Sequence, residues 1–175
     1  MINCLLSDFV CLRILIYLHM RTDIHLCRHV CAGLIITHRV FYKGKNGILK
    51  KANILSFGFN MTGDSLGNHP GVHAEHNAIN KLKPLKRQKH LQNVNLLVIR
   101  LSKNNKLQNS KPCANCIEKM KTLPEKKGYR IKNIYYSTDN GEIVKSSIRN
   151  LENEELHYSK FFRKHKHIDY VSRTS

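Results

Sequence analysis

The chain has 175 residues and a hydrophobic fraction of 41%, which suits one domain with a modest extension and excludes an intrinsically disordered protein. Thirty lysines and arginines face twelve acidic residues, so the formal net charge is +18. That charge favours polyanionic partners, nucleic acid first, and equally fits a lysine-rich solvated surface. Because Asp8 and Arg13 interrupt the apolar start, we predict no signal peptide, no membrane contact and an intracellular location, cytoplasmic or nuclear.

Hydrophobic periodicity predicts alternating helices and strands along the chain. Residues 4–20 carry apolar side chains at helical spacing and predict an N-terminal helix. The later predicted elements are strands at 30–41 and 52–60, a helix at 73–82, a strand at 94–101, a helix at 113–123, a strand at 131–137 and a short strand starting at 143–144. This order predicts an α/β protein with a mixed sheet covered by helices.

Two short motifs stand at the starts of the two later predicted helices. The first is His73-Ala-Glu75 and the second is Pro112-Cys113-Ala-Asn-Cys116. Two cysteines three residues apart in a first helical turn can direct both sulfurs to one point, where the helix dipole favours thiolates. One imidazole and two thiolates form a ligand set that suits Zn²⁺. Three protein ligands leave a fourth position open, which is typical of a catalytic zinc site.

Glu75 is the candidate proton carrier beside this site. It follows His73 by two residues, about 200° around an ideal helix, so the pair must straddle the helix start. Two thiolates cancel the charge of zinc, and the ion then acidifies its water less than it would with three neutral imidazoles. A nearby carboxylate compensates by moving protons. This combination fits hydrolytic removal of an exocyclic amino group from an amidine-like ring.

Both motifs, in this order, resemble the signature of the cytidine/deoxycytidylate deaminase superfamily, H-x-E followed by P-C-x-x-C. The resemblance covers about residues 31–144 and includes Gly58-Phe-Asn60 and Asn77-Ala-Ile79. It implies a three-layer α/β/α sandwich around a mixed five-stranded sheet. It also implies that Asn60 contacts the sugar or phosphate side of the substrate and that the Ala74 amide lies near the base. The form of the second motif, Ser110-Lys-Pro-Cys113, resembles the one in uncharacterised deaminase-like proteins of eukaryotes and large DNA viruses.

The expected protein is therefore a zinc-dependent hydrolase that deaminates a cytosine-type nucleoside or nucleotide. Alternatives are a base deaminase acting on RNA or single-stranded DNA, and a non-catalytic, zinc-containing nucleic-acid-binding module. We divide the chain into an N-terminal helical segment at 1–25, a deaminase domain at 26–150 and a basic tail at 151–175. Homo-oligomers are common in the family and are compatible with this prediction.

The other histidines and cysteines allow two further metal hypotheses. Cys27, Cys31 or His90 could complete a closed structural site with the three predicted ligands. His25, Cys27, His29 and Cys31 alternate, so on a strand they would share one face and could hold a second ion. The competing interpretation of this alternating segment is that cysteine serves as a small core residue.

The basic tail also has two interpretations. Phe161 and Phe162 stand among lysines, arginines and histidines, a mixture that can contact nucleic acid. Aromatic residues near a terminus also dock the last segment of a chain onto its domain, and we favour docking.

Overall fold

The computed structural model describes residues 30–37, 54–61, 71–86, 89–104, 106–159 and 161–163. The predicted N-terminal helix lies outside these residues. Among them no helix is both long and apolar enough to cross a membrane. The elements are β1 Val30–Thr37, β2 Ile54–Phe59, α1 Ala74–Asn80, β3 Gln92–Leu101, β4 Leu107–Gln108, α2 Ala114–Thr122, a 3₁₀ turn Glu125–Lys127, β5 Tyr129–Ser137, β6 Ile143–Ser146 and α3 Ile148–Asn153.

The strands form a mixed sheet in the order β2-β1-β3-β5-β6, with the short β4 also paired to β3. β3 and β5 run parallel, and all other neighbours are antiparallel. The α/β class with a mixed sheet is therefore confirmed. The finer prediction of a five-stranded, three-layer sandwich of the cytidine deaminase type stays a prediction.

β3 is a deeply buried strand. Its six consecutive residues from Val94 to Ile99 are all buried, so both faces of the strand are covered. This run, apolar except for Asn95, is typical of a strand with a parallel neighbour, as β3 has in β5. Val94, Leu96 and Val98 lie on the face that joins the main core cluster.

The three helices pack in series against this sheet. α1 lies on β2 and β1, α2 contacts α1 and β5, and α3 contacts α2 and β5. The core beneath them is formed by Ile35, Ala78, Ile79, Leu82, Val94, Leu96, Val98, Cys113, Cys116, Ile117, Met120, Tyr129, Ile131, Ile134, Tyr136 and Leu151. The two cysteines of the second motif are thus part of the core and not of an exposed loop.

Gly58 sets how closely α1 approaches β2. A Cβ at this position would lie 2.3 Å from the Ala78 nitrogen and 2.6 Å from the Ala74 carbonyl oxygen. Ser56 and Asn77 then join the two elements, since the Ser56 hydroxyl donates to the Ala78 carbonyl at 2.7 Å. The Asn77 amide donates to the Phe59 carbonyl at 2.9 Å. The start of α1 is therefore fixed to the end of β2.

Besides the 3₁₀ turn, two elements were not predicted from the sequence. β4 has only two residues and lies between the predicted strand at 94–101 and the predicted helix at 113–123, where no element was predicted. α3 has six residues, of which only Leu151 is buried, and it begins with a hydrogen bond from the Asn150 amide to the Ser147 hydroxyl. Both are too short to show a period of hydrophobicity.

Candidate metal centre

The two sequence motifs meet at one edge of the sheet, where β2, β3 and β5 end. Phe59 of β2 pairs with Ala32, and Ala32 pairs with Ile99 near the end of β3. Val98 in turn pairs with Tyr136 near the end of β5. We call this the C-terminal edge of the sheet. Both motif helices begin there, which is where α/β sheets generally place their ligand sites.

His73, Cys113 and Cys116 form a compact group at this edge. Their candidate ligand atoms all lie within 4.8 Å of one another. His73 Nδ1 is 3.2 Å from Cys116 Sγ and 3.5 Å from Cys113 Sγ. The structure therefore brings together the three predicted ligands as a group able to hold a metal ion.

The local backbone explains why these side chains are available to an ion. His73 is the N-cap of α1 and Cys113 is the N-cap of α2, both with extended backbone. Neither side chain caps its own helix, so each is left to face the other. Cys116 lies on the first turn of α2 and brings its sulfur back toward Cys113. Glu75 lies inside the first turn of α1, so it and His73 stand on either side of the helix start.

The dimensions of the group fit zinc. Zinc bonds are about 2.0–2.1 Å long to nitrogen and about 2.3 Å long to sulfur, which puts the two ligand atoms about 3.6 Å apart at a tetrahedral angle. The separations of 3.2 and 3.5 Å from His73 Nδ1 to the two sulfurs are close to that value. One borderline nitrogen and two soft sulfurs also match the preference of zinc. The residues present therefore fit a zinc ion.

The electrostatics of the group favour a thiolate at Cys113. The hydrogen bond from Cys116, together with the contact with His73, lowers the pKa of the Cys113 thiol to about 4, although burial opposes this shift. The same bond to Cys113, together with burial, raises the pKa of Cys116. The hydrogen bond to Cys113 raises the pKa of the His73 imidazole. Without a metal, Cys113 thus carries the negative charge of the pair.

Glu75 is a buried carboxyl beside the ligands. Its side chain is only 5% exposed, and it lies within hydrogen-bonding contact of the Cys116 thiol. Burial raises the pKa of Glu75, while its own backbone amide and His73 oppose that rise. Burial therefore makes the Glu75 carboxyl hold a proton more readily than an exposed carboxyl does, which suits a group that accepts and returns protons.

The other two predicted site residues also meet at this edge. The Asn60 side chain accepts a hydrogen bond at Oδ1 from the Ala74 backbone amide, at 2.7 Å. The Ala74 amide, which was predicted to lie near the base, thus already has an acceptor in the protein. Asn60 is exposed, and its amide nitrogen has no partner among the described residues. The contacts of these two residues with a substrate stay predictions.

A pair of buried serines, not predicted from sequence, anchors the loop that leads to Cys113. Ser110 Oγ lies 2.9 Å from the Val98 carbonyl oxygen and accepts the Ser137 backbone amide at 2.8 Å. The Ser110 amide in turn donates to the Ser137 carbonyl. Ser137 Oγ donates to the Gln108 carbonyl at 2.7 Å. Ser110 therefore ties the ends of β3 and β5 together three residues before the first cysteine.

A second unpredicted contact joins the two motif helices. Lys119 Nζ donates to His76 Nδ1 at 3.2 Å. His76 comes three residues after His73, and Lys119 comes three residues after Cys116. Each is thus about one helical turn beyond a ligand, on the side where α1 and α2 meet. The spacing of His76 and Lys119 from the ligands can be read from the sequence. Their contact with each other follows only from the fold.

The first part of the predicted tail closes over the start of α2. The His157 carbonyl accepts the Ala114 backbone amide at 3.0 Å, and Lys111 forms an ion pair with Glu154 at 2.7 Å. Phe161 and Phe162 are half-buried and contact each other edge to face. The residues beyond 163 lie outside the described part of the chain.

The alternative metal hypotheses have different outcomes. Among the described residues, one group of three or more His, Cys, Asp or Glu side chains could hold an ion. It consists of His73, Cys113 and Cys116. His90 is exposed just before β3 begins, at the opposite edge of the sheet, so it cannot be the fourth ligand. The backbone of Cys31 lies in β1 and pairs with Arg100 of β3, and the hypothesis that its sulfur is a fourth ligand stays a prediction. His25, Cys27 and His29 lie outside the described residues.

In comparisons with protein-family models, with curated proteins and with solved structures, no family model, protein or structure matches this chain. The site must therefore be interpreted from its own residues.

Proposed function

We propose that the protein is a zinc-dependent hydrolytic deaminase of a cytosine-type nucleoside or nucleotide. One observation carries the proposal: the His73, Cys113 and Cys116 ligand atoms lie within 4.8 Å of one another, with the buried Glu75 carboxyl at their side. Three ligands and an adjacent proton carrier match a catalytic zinc site better than a closed structural one. The resemblance of both motifs to the deaminase signature supplies the reaction type.

The roles in this mechanism divide simply. A zinc ion held by His73, Cys113 and Cys116 would supply an acidified water for attack on the amino-bearing ring carbon. Glu75 would accept one proton from the water and deliver it to the ring nitrogen. It would then take the second proton from the hydroxyl group added to the ring carbon and pass it to the amine as the C–N bond breaks. The net reaction consumes water, converts the ring C–NH₂ group to C=O and releases ammonia. The raised pKa of the Glu75 carboxyl supports this repeated exchange.

The cytidine deaminase fold is part of the same proposal. In its support, parallel β3 and β5 place both motif helices at their C-terminal edge, and β3 is covered on both faces. The hydrogen bond between Asn60 and the Ala74 amide also supports this fold, because it holds the exposed Asn60 side chain next to the candidate ligand His73. Asn60 would meet the sugar or phosphate side of a substrate there.

The direct test is ammonia release by zinc-loaded protein over cytidine, deoxycytidylate, adenosine, guanine and a single-stranded RNA oligonucleotide. We expect release from a cytosine-type nucleoside or nucleotide. Glu75→Gln should keep one zinc per chain and lower the rate by about 10²–10⁴-fold, the usual contribution of a positioned acid–base group.

Glu118→Gln is the matched control, because Glu118 is an exposed carboxylate on α2. This variant should release ammonia at the rate of the unchanged protein. Equal rates in the Glu75 and Glu118 variants would remove Glu75 from the mechanism. Absence of ammonia from every substrate, with zinc fully bound, would reject the deaminase and favour a non-catalytic zinc protein.

A further inference from the structure

The edge of the sheet opposite the metal centre carries five exposed lysines. β2, β3 and β5 start at this edge, at Ile54, Gln92 and Tyr129. The lysines come from the segment between α1 and β3 and from the turn before β5. They are Lys81, Lys83, Lys86, Lys89 and Lys126, and we call them the basic surface.

Hydrogen bonds hold the two segments of the basic surface together. Lys127 Nζ donates to the carbonyls of Asn80 at 2.5 Å and Leu82 at 2.9 Å. The Tyr129 hydroxyl donates to the Lys83 carbonyl at 3.0 Å. The lysines after α1 are therefore fixed beside Lys126, which is the chain neighbour of Lys127. Their charges are gathered by the fold and not merely by composition.

Little negative charge offsets these lysines. Among the described residues of 80–93 and 124–132, Glu125 is the only acidic one, and it lies 3.5 Å from Arg130. Within the described part of the chain, the side-chain ammonium groups of four of these lysines have no hydrogen-bond or ion-pair partner: Lys83, Lys86, Lys89 and Lys126. Their mutual repulsion is relieved when a polyanion neutralises them, and a polyanion that does so also releases its own counterions.

An exposed aromatic ring adjoins the basic surface. Phe57 of β2 is 40% exposed, and Lys81 Nζ lies 5.2 Å from the centre of its ring. Phe59 supports the ring edge to face, with the ring centres 5.9 Å apart. Cations beside an open aromatic face are the features that single-stranded nucleic acid uses, since phosphates meet the cations and an unstacked base meets the ring.

We propose that the basic surface binds single-stranded nucleic acid through its sugar–phosphate backbone. The site lies at the edge of the sheet remote from His73, Cys113 and Cys116, so it anchors a polynucleotide independently of the metal centre. The inference goes beyond the proposed deaminase and does not depend on it, because binding is measured without any reaction.

The test compares two fourfold variants by fluorescence anisotropy of a labelled single-stranded RNA over a range of salt concentrations. One carries Lys83→Gln, Lys86→Gln, Lys89→Gln and Lys126→Gln. The control carries Lys103→Gln, Lys106→Gln, Lys145→Gln and Arg149→Gln, which are also exposed but lie elsewhere. Both remove four positive charges, so the net charge of the two proteins is the same.

We expect the basic-surface variant to bind about tenfold or more weakly than the unchanged protein at roughly 0.1 M salt. Its slope of log affinity against log salt should be shallower by up to about 3, since each single-strand phosphate contact contributes about 0.7. The control variant should bind nearly as the unchanged protein does. Phe57→Ala should also weaken binding, by about tenfold for one lost stacked base.

Four results would overturn the proposal. They are equal losses in the two fourfold variants, absence of RNA binding at low salt, tighter binding of a duplex of the same sequence, and binding to phosphatidylserine vesicles without binding to RNA. Ammonia release from a free nucleoside serves as a separate readout, which the basic-surface variant should leave unchanged. Failure of this proposal and failure of the deaminase proposal are therefore distinguishable.

Discussion

Asn60 combines a structural contact with a predicted substrate contact. Its Oδ1 accepts the Ala74 amide, one of the amides at the start of α1 that have no acceptor within the helix. Its amide nitrogen is therefore available to donate a hydrogen bond to a substrate. A change that keeps the oxygen and removes the nitrogen can separate the two roles.

Asn60→Asp is that change, because an aspartate oxygen can still accept the Ala74 amide. We expect its thermal stability to stay close to that of the unchanged protein and its KM for a nucleotide substrate to rise about tenfold, the cost of one lost hydrogen bond of ~1.4 kcal/mol. Asn60→Ala should lose stability as well, by about 1 kcal/mol, since no acceptor is left. An unchanged KM in the aspartate variant would mean that Asn60 is a structural residue only.

Two histidines test the ligand assignment at the same scale. His73→Ala should abolish stoichiometric zinc binding at micromolar metal, because only two ligand atoms are left. His90→Ala should retain one zinc per chain, since His90 is exposed at the other edge of the sheet. Metal content after dialysis, measured by elemental analysis, checks both. Loss of zinc in the His90 variant would contradict the three-ligand site described here.

At the scale of elements, the contact between β2 and α1 fixes the position of His73. Gly58 allows the helix backbone to approach the strand, and the contacts from Ser56 and Asn77 secure it. Because His73 is the N-cap of α1, any displacement of the helix moves a metal ligand. Stability and zinc affinity are therefore coupled through this contact.

Gly58→Ala should lower the free energy of unfolding by about 3 kcal/mol, since the added methyl would meet backbone atoms that cannot yield without moving the helix. Zinc affinity should fall with it. Gly141→Ala is the control, because its Cβ would meet nothing within 4 Å and only its φ of +79° makes it strained. That strain costs about 1–2 kcal/mol and lies away from the site. Urea unfolding and zinc titration of both variants measure the two effects, and equal zinc affinities would break the proposed coupling.

The elements were predictable from sequence where periodicity was long. β3 was predicted within two residues because its apolar run is long. α2 was predicted within one residue at each end, and its buried residues Cys116, Ile117 and Met120 follow helical spacing. α3 was not, because one buried leucine among charged residues gives no period. The metal ligands were predictable because their spacing is local within each motif. Ser110 with Ser137, and His76 with Lys119, were not, because each pair is brought together only by tertiary contacts.

At the scale of the whole molecule, a metal ion would join two helices that are far apart in sequence. The ligands His73 and Cys113 are 40 residues apart in the sequence. Among the described residues, side-chain contacts join the two helices where His73 and Glu75 meet the cysteines, and one turn further along where His76 meets Lys119. The core beneath them extends through β3, β5, α1 and α3. The core therefore extends well beyond the candidate ligands Cys113 and Cys116, and we expect it to persist without the ion.

This arrangement predicts a particular response to metal removal. A protein with free zinc about 1,000-fold above its Kd gains ~4 kcal/mol from binding, which for a chain of this size corresponds to about 10 °C in Tm. Chelation should therefore lower Tm by about that amount while the metal-free protein still unfolds cooperatively. Hydrogen exchange should increase at the first turns of α1 and α2 and change little in the centre of β3. A metal-free protein without a cooperative transition would instead mean that the ion is structural, because then the fold itself, and not only the site, would depend on it.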